Sequence, residues 1–220
     1  MGFDFDHTLG LDNKLERVTF LWLLDLVVAR GGHALGTVEQ ESVTIDKLLE
    51  EQRSGAFCID EAVRRFVDAR SSADPAPYIE RYRAQALQNV ERFVRPLPGC
   101  AELLTCLRAR EVPVAVLTNG WSPLQSRKAQ AVGFTGPVLA SDRIGALKPD
   151  PRAFAAVQSV LNCPVDRILY VGDNPLADIA GSIAVGMQGV WLDAEGISYP
   201  KDIEPPTATI HTLLDLLELV

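Results

Sequence analysis

The chain has 220 residues, 47% of them hydrophobic and 23% charged, and a formal net charge of −8. That length accommodates one large domain or a core carrying an insert. The acidic balance argues against nucleic-acid binding, which needs a basic face toward phosphates.

The first element in chain order is FDFDHTLG, Phe3 to Gly10. An extended strand would turn Asp4 and Asp6 to one face. Two like charges that close repel, so a cation or a retained proton must offset the pairing. Phe3 and Phe5 predict that the stretch is buried. Only Met1, Gly2 and Phe3 precede Asp4. The strand is therefore short here, or the natural chain begins upstream.

From Asn13 to Arg95 the periodicity is helical, without a strand run. FLWLLDLVVA (Phe20 to Ala29) is ten residues long with Asp25 inside it. A membrane-spanning helix needs about 20 apolar residues, so this run predicts a buried helix, with no signal peptide before it. Ile59, Ala62, Val63, Phe66 and Val67 form one apolar stripe, and Ile79, Tyr82, Ala86, Val90 and Phe93 another. RSGAF (Arg53 to Phe57) and SSADPAP (Ser71 to Pro77) interrupt the helices, and RPLPG (Arg95 to Gly99) leads back out.

From Val112 onward, short apolar runs alternate with helical patterns. VPVAVLT (Val112 to Thr118) reads as a buried strand. Ser122, Pro123 and Gln125 then predict an N-cap, a first helical proline and a capping box, with the helix ending at Gly133. Pro137 to Ala140 is a second strand, and Asp150–Pro151 opens a helix with Phe154, Val157 and Leu161 on one face. Arg167 to Asp173 and Gly189 to Leu192 are further strands, with a helix between them to about Gly186. Uniformly apolar strands alternating with helices predict an α/β fold, a Rossmann-like parallel sheet covered on both faces. The all-helical segment is inserted after its first strand. The boundaries are 1–12 with 96–220 for the core and 13–95 for the insert.

Charge divides unevenly. Residues 13–98 carry a net −1 and the remainder a net −7. The four cysteines form no CxxC pair, which disfavours zinc and dithiol redox chemistry and suits a reducing cytoplasm.

Ligands of open α/β sheets bind beyond the carboxyl ends of the strands. Asp4 and Asp6, Thr118 and Asn119, and Asp173 fall at such ends, with Asp178 five residues further on and Lys148 in a loop before a helix. Oxygen ligands that leave room for water suit Mg²⁺. Hydroxyl, amide and ammonium groups suit an oxyanion. The inventory is that of phosphoryl transfer.

DFDHTL, LTNG, LKPDPRAF and VGDNPLAD, in this order, resemble the four motifs of the haloacid dehalogenase-like (HAD) hydrolase superfamily. The helical insert resembles its C1 cap (subfamily I, phosphatase type). The resemblance implies Asp4 as the nucleophile of an aspartyl-phosphate mechanism and Asp6 as general acid/base, its backbone carbonyl also a metal ligand. It implies Thr118 and the amide of Asn119 as phosphate donors, Lys148 as the charge between nucleophile and phosphate, and Asp4, Asp6 and Asp173 around Mg²⁺. It implies Asp178 as a support for the metal, directly or through water, or through Lys148. The reading that follows is a cytoplasmic phosphatase for a small phosphorylated metabolite, with no nucleic acid and no membrane as partner. A dehalogenase of the superfamily lacks an acid/base Asp at the position of Asp6, and a receiver module lacks both the insert and the DxD spacing. A phosphomutase or a non-catalytic phosphate-binding protein is the remaining alternative.

Around the motifs, Thr8 reads as support for the turn after Asp6, and Asn174 as an N-cap. His7 occupies a position where the family often has glycine. In the insert, Arg53 and Phe57 offer a guanidinium and a ring that would contact the leaving group, against the plainer reading of an inter-helix turn.

Overall fold

The strand runs of the sequence pair into one six-stranded parallel sheet in the computed structural model, which describes residues 1–220. In chain order the strands are β1 (Gly2–Phe3), β4 (Ala115–Thr118), β5 (Val138–Ala140), β6 (Leu169–Gly172), β7 (Gln188–Leu192) and β8 (Ala208–Ile210). A separate antiparallel ribbon joins β2 (Gly10–Leu11) to β3 (Arg95–Pro96). The spatial order is β5-β4-β1-β6-β7-β8. The two-residue β1 is thus central, with Phe3 beside Val116 on one side and Val171 on the other. The order reverses around it, which is where open α/β sheets place their ligands.

The chain forms two compact units, Met1–Asp12 with Val94–Val220, and Asn13–Phe93. The first also holds α5 (Cys100–Ala109) and α7 (Ser141–Ile144), and in it Phe154, Val157 and Leu161 of α8 (Pro151–Leu161) are buried in a core cluster with Ala115, Leu117 and Tyr170. Phe154 meets the Tyr170 ring edge-on at 5.1 Å. Asp150 caps α8 through the Arg152 N–H.

Two expectations fail locally. The helix after the TNG loop, α6 (Leu124–Ala131), has Pro123 at its N-cap and no side-chain cap. The Ser122 N–H is instead bonded to Asp142 Oδ1 at 3.0 Å, and the Gln125 amide lies against Gly120, where a Cβ would collide with it. The capping box loses both partners to tertiary contacts. The segment after β6 also departs from a plain helix. Residues Pro175–Ala180 wind as a π-turn before α9 (Gly181–Ala184).

The second unit comprises α1 (Leu15–Ala29), α2 (Val38–Arg53), α3 (Ile59–Asp68) and α4 (Ala76–Phe93). Phe20 packs on Phe66 and Tyr82, with centroids at 5.2 and 4.6 Å. The 20–29 run is buried on one face only, since Asp25 and Val28 are exposed. Arg70 and Glu41 form a fully buried ion pair, with Arg70 also bonded to the Phe66 carbonyl and Glu41 to the Leu35 N–H. These bonds offset the desolvation that a buried pair must suffer.

Candidate active site

The strand ends create the site. After β1 the Asp4 N–H still bonds Val171 O at 2.8 Å. The chain then leaves extended geometry: the N–H groups of Thr8, Leu9 and Gly10 all converge on the Phe5 carbonyl. His7, in this turn, has φ 60°. That is the left-handed region a glycine occupies freely and His tolerates better than most side chains. Asp6 opens the turn, so the shared strand face expected for Asp4 and Asp6 does not extend to it. Phe3 and Phe5 are fully buried, as their positions predict.

Lys148 gathers the charges. Its ammonium donates to Asp4 Oδ1 and to Asp178 Oδ1, each at 2.6 Å. Lys148 is 6% exposed, Asp4 9% and Asp178 fully buried, so this is an interior network rather than a surface pair. Burial opposes the ammonium charge, but Asp178 and Asp4 outweigh it and hold the Lys148 pKa above its ordinary value. Burial, with the Asp178 charge adding to it, pushes Asp4 up to about 7 against the pull of Lys148. Burial and the Asp4 charge push Asp173 up to about 6.

Each member is fixed by its neighbours. Asn119, just after β4, clamps the Lys148 backbone with two bonds: its amide donates to Lys148 O at 2.9 Å and its oxygen accepts the Lys148 N–H at 2.7 Å. The Asn119 side chain thus positions Lys148, a role distinct from the phosphate contact expected of its backbone amide. Gly172, ending β6, leaves the space that the Asp178 carboxyl fills. Asp178 Oδ2 accepts the Asn174 N–H at 3.0 Å, and Asn174 caps the following turn through Leu176 and Ala177 N–H. Thr8, beyond supporting its turn, donates to Asp173 Oδ1 at 3.4 Å. The Trp191 indole N–H holds the Asp173 carbonyl at 2.9 Å. Thr118 is buried at the end of β4, on the same carboxyl edge of the sheet.

Asp4, Asp173 and Asp178 bring carboxylate oxygens within 4.8 Å of one another. With Lys148 among them, three ionised carboxylates leave two negative charges in excess. Charge and donor type fit a hard divalent cation. Both Asp178 oxygens already accept bonds, so Asp4 and Asp173 have the greater capacity to hold an ion, and Asp178 acts by fixing Lys148. The Asp6 carboxylate is not in this cluster. It accepts a bond from Lys128 at 2.5 Å, a residue that nothing in the motifs singles out. Grooves of about 480 and 260 Å³ in the helical unit and 400 Å³ at the other end of the sheet, beside Met1, lack these carboxylates. Chemistry, not cavity size, marks the site.

Arg53 and Phe57 lie in the helical unit. Arg53 pairs with Glu16 at 3.5 Å, and the Phe57 ring carries the Arg65 guanidinium 4.2 Å from its centroid.

Residues 3–186 match the family described as haloacid dehalogenase-like hydrolase. The chain belongs to that family. It is 33% identical over 129 residues to the pyrimidine 5′-nucleotidase YjjG of Escherichia coli, covering 57% of this chain and 56% of that one. It is 33% identical over 133 residues to the phosphoserine phosphatase of Thermus thermophilus, covering 59% and 53%. The aligned region thus spans about half the length of these curated relatives. The structure of a 2-haloacid dehalogenase from Pseudomonas syringae superposes with a TM-score of 0.76 at 25% identity, over 99% of this chain and 96% of that one. Phosphatases and dehalogenases share this HAD fold, so the fold does not choose between the chemistries.

Proposed function

We propose that this HAD-family chain is a Mg²⁺-dependent phosphatase that hydrolyses a small phosphate monoester through an aspartyl-phosphate at Asp4. The observation that carries the reading is the buried Asp4–Lys148–Asp178 network with Asp173 beside it. In this reading Asp4 is the nucleophile, and Lys148 balances its charge. Asp6 adds a second carboxylate at the turn after β1, and the Asp4-x-Asp6 pair is what a dehalogenase of the superfamily lacks.

In the first half-reaction an Asp4 carboxylate oxygen bonds to phosphorus. The bond to the ester oxygen breaks, its electron pair stays on that oxygen, and Asp6 supplies the proton. In the second, Asp6 takes a proton from water, the water oxygen bonds to phosphorus, and the Asp4 carboxylate is released. Thr118 and the Asn119 N–H donate to the phosphoryl oxygens, and Lys148 balances the charge between nucleophile and phosphate. Asp4, Asp173 and the Asp6 carbonyl would hold Mg²⁺, which when bound supplies charge neutralisation for two anions brought together. We assign substrate choice to the helical segment as the cap of this enzyme, with Arg53 as a contact to the leaving group. The cytoplasm is the compartment that fits its unpaired cysteines. No helix is long and apolar enough to cross a membrane.

The test is phosphate release from a broad panel of phosphate monoesters with Mg²⁺ present. Turnover of small esters well above that of phosphopeptides is the expected result. Halide release from 2-haloacids without any phosphate release would replace the reading with a dehalogenase.

A further inference from the structure

The mechanism above gives Asp6 its part but leaves out the two residues it is clustered with, Lys128 and Asp12. Lys128 lies on α6 beside Leu124, Gln125 and Ala129, the buried face of that helix. It is 2% exposed. A lysine on a core-facing stripe loses its hydration, and only paired charge offsets that loss. The structure supplies two carboxylates. The ammonium donates to Asp6 Oδ1 at 2.5 Å and to Asp12 Oδ2 at 3.3 Å. It also stands 5.2 Å from the centroid of the fully buried Phe5 ring, a favourable place for a cation.

The Asp6 side chain is 34% exposed, so packing alone does not lock it. A free aspartate samples three staggered χ1 wells. Tethered to a buried ammonium that is itself held by Asp12 and Phe5, it keeps one. We infer that Lys128 is a positioning residue: bonded to Oδ1, it holds the Asp6 carboxyl in the orientation from which a proton carried on Oδ2 passes to the ester oxygen. The two sides of the site then have one lysine each, Lys148 for the nucleophile and Lys128 for the acid/base group. The inference rests on the phosphatase reading, since it assigns Asp6 its part in that reaction. An apolar side chain at position 128 would fill the same space and leave the nucleophile with its own lysine, so loss of Lys128 affects the proton and spares the attack on phosphorus.

Leaving groups separate these two effects. An alkoxide needs a proton as the P–O bond breaks, whereas p-nitrophenolate leaves without one. The value of kcat/KM covers only the steps up to phosphorylation of Asp4, where the leaving group departs. The experiment compares Lys128→Met with wild type on glycerol phosphate and on p-nitrophenyl phosphate in Mg²⁺. Melting temperatures of Lys128→Met, Asp6→Asn and the double variant are measured in parallel. The expected result is a kcat/KM loss for the alkyl ester about tenfold or more greater than for the aryl ester, with non-additive melting shifts that report the pair itself. Equal losses on both esters, or additive melting shifts, would overturn the positioning role while leaving the phosphatase reading intact. Wild-type protein that releases phosphate from no alkyl or aryl ester of the broad panel would overturn the phosphatase reading and the role of Lys128 with it. If Lys128→Met does not fold, Lys128→Leu takes its place in the same comparison, because leucine is also apolar, removes the donor and suits a helix.

Discussion

Asp4→Asn is expected to lower kcat/KM for phosphate esters by about 10⁴-fold or more, the scale on which removal of a covalent nucleophile is felt. The amide is nearly isosteric with the carboxylate, so packing at this position beside the central strand is kept. It cannot attack phosphorus to give a competent acyl phosphate. The variant also removes a charge from a site where burial and Asp178 already push the Asp4 carboxyl up to about 7. The fold should therefore tolerate it, and a melting temperature at or above that of the wild type is expected. Activity above a few per cent of wild type would exclude Asp4 as the nucleophile.

Removal of divalent cations is expected to abolish turnover, and Mg²⁺ to restore it. Asp173→Ala should weaken Mg²⁺ binding by more than the roughly 10–100-fold typical of losing a residue that only supports a ligand. The affinity should also depend on pH in a defined direction. Asp4 and Asp173, with ion-free values near 7 and 6, are increasingly protonated as pH falls. A cation must displace those protons. Mg²⁺ affinity measured by calorimetry should fall as pH is lowered from 8 toward 5.5, by roughly tenfold per pH unit for each proton displaced. Full activity in excess EDTA, or an affinity that rises toward low pH, contradicts the assignment.

The parts of the site that lie on strand ends were legible in the sequence. Asp4, Thr118 and Asp173 follow apolar runs and Lys148 stands in a loop before a helix, where a polar residue type indicates its chemistry. Lys128 was not legible. A lysine between arginine and alanine in a short helical pattern reads as solvated charge, and only the fold turns it inward onto Asp6. The same holds for Asn119, whose two-bond clamp on Lys148 spans 29 residues of sequence. Asp178 is completely buried against Gly172, so it is not the helix-surface charge that its sequence position alone would also allow. The Ser122 capping box failed for the converse reason. A local pattern with good propensity lost its donor to Asp142 and its glutamine to the space beside Gly120. Of the four helices of the insert, α3 and α4 follow from their apolar stripes and α1 from its apolar run, while α2 had neither signal. The buried Arg70–Glu41 pair that braces them was not legible either, because each residue alone looks like an exposed charge.

The central claim is that the phosphoryl group passes through Asp4. The direct measurement is to quench wild-type protein in acid during turnover of a phosphate ester with Mg²⁺, reduce it with borohydride, and sequence the Met1–Lys14 peptide by mass spectrometry. An aspartyl-phosphate is reduced to homoserine, so homoserine at position 4 is predicted, dependent on substrate and on Mg²⁺. Unmodified aspartate at position 4 in protein that is turning over substrate, or homoserine at another carboxylate, would contradict the account.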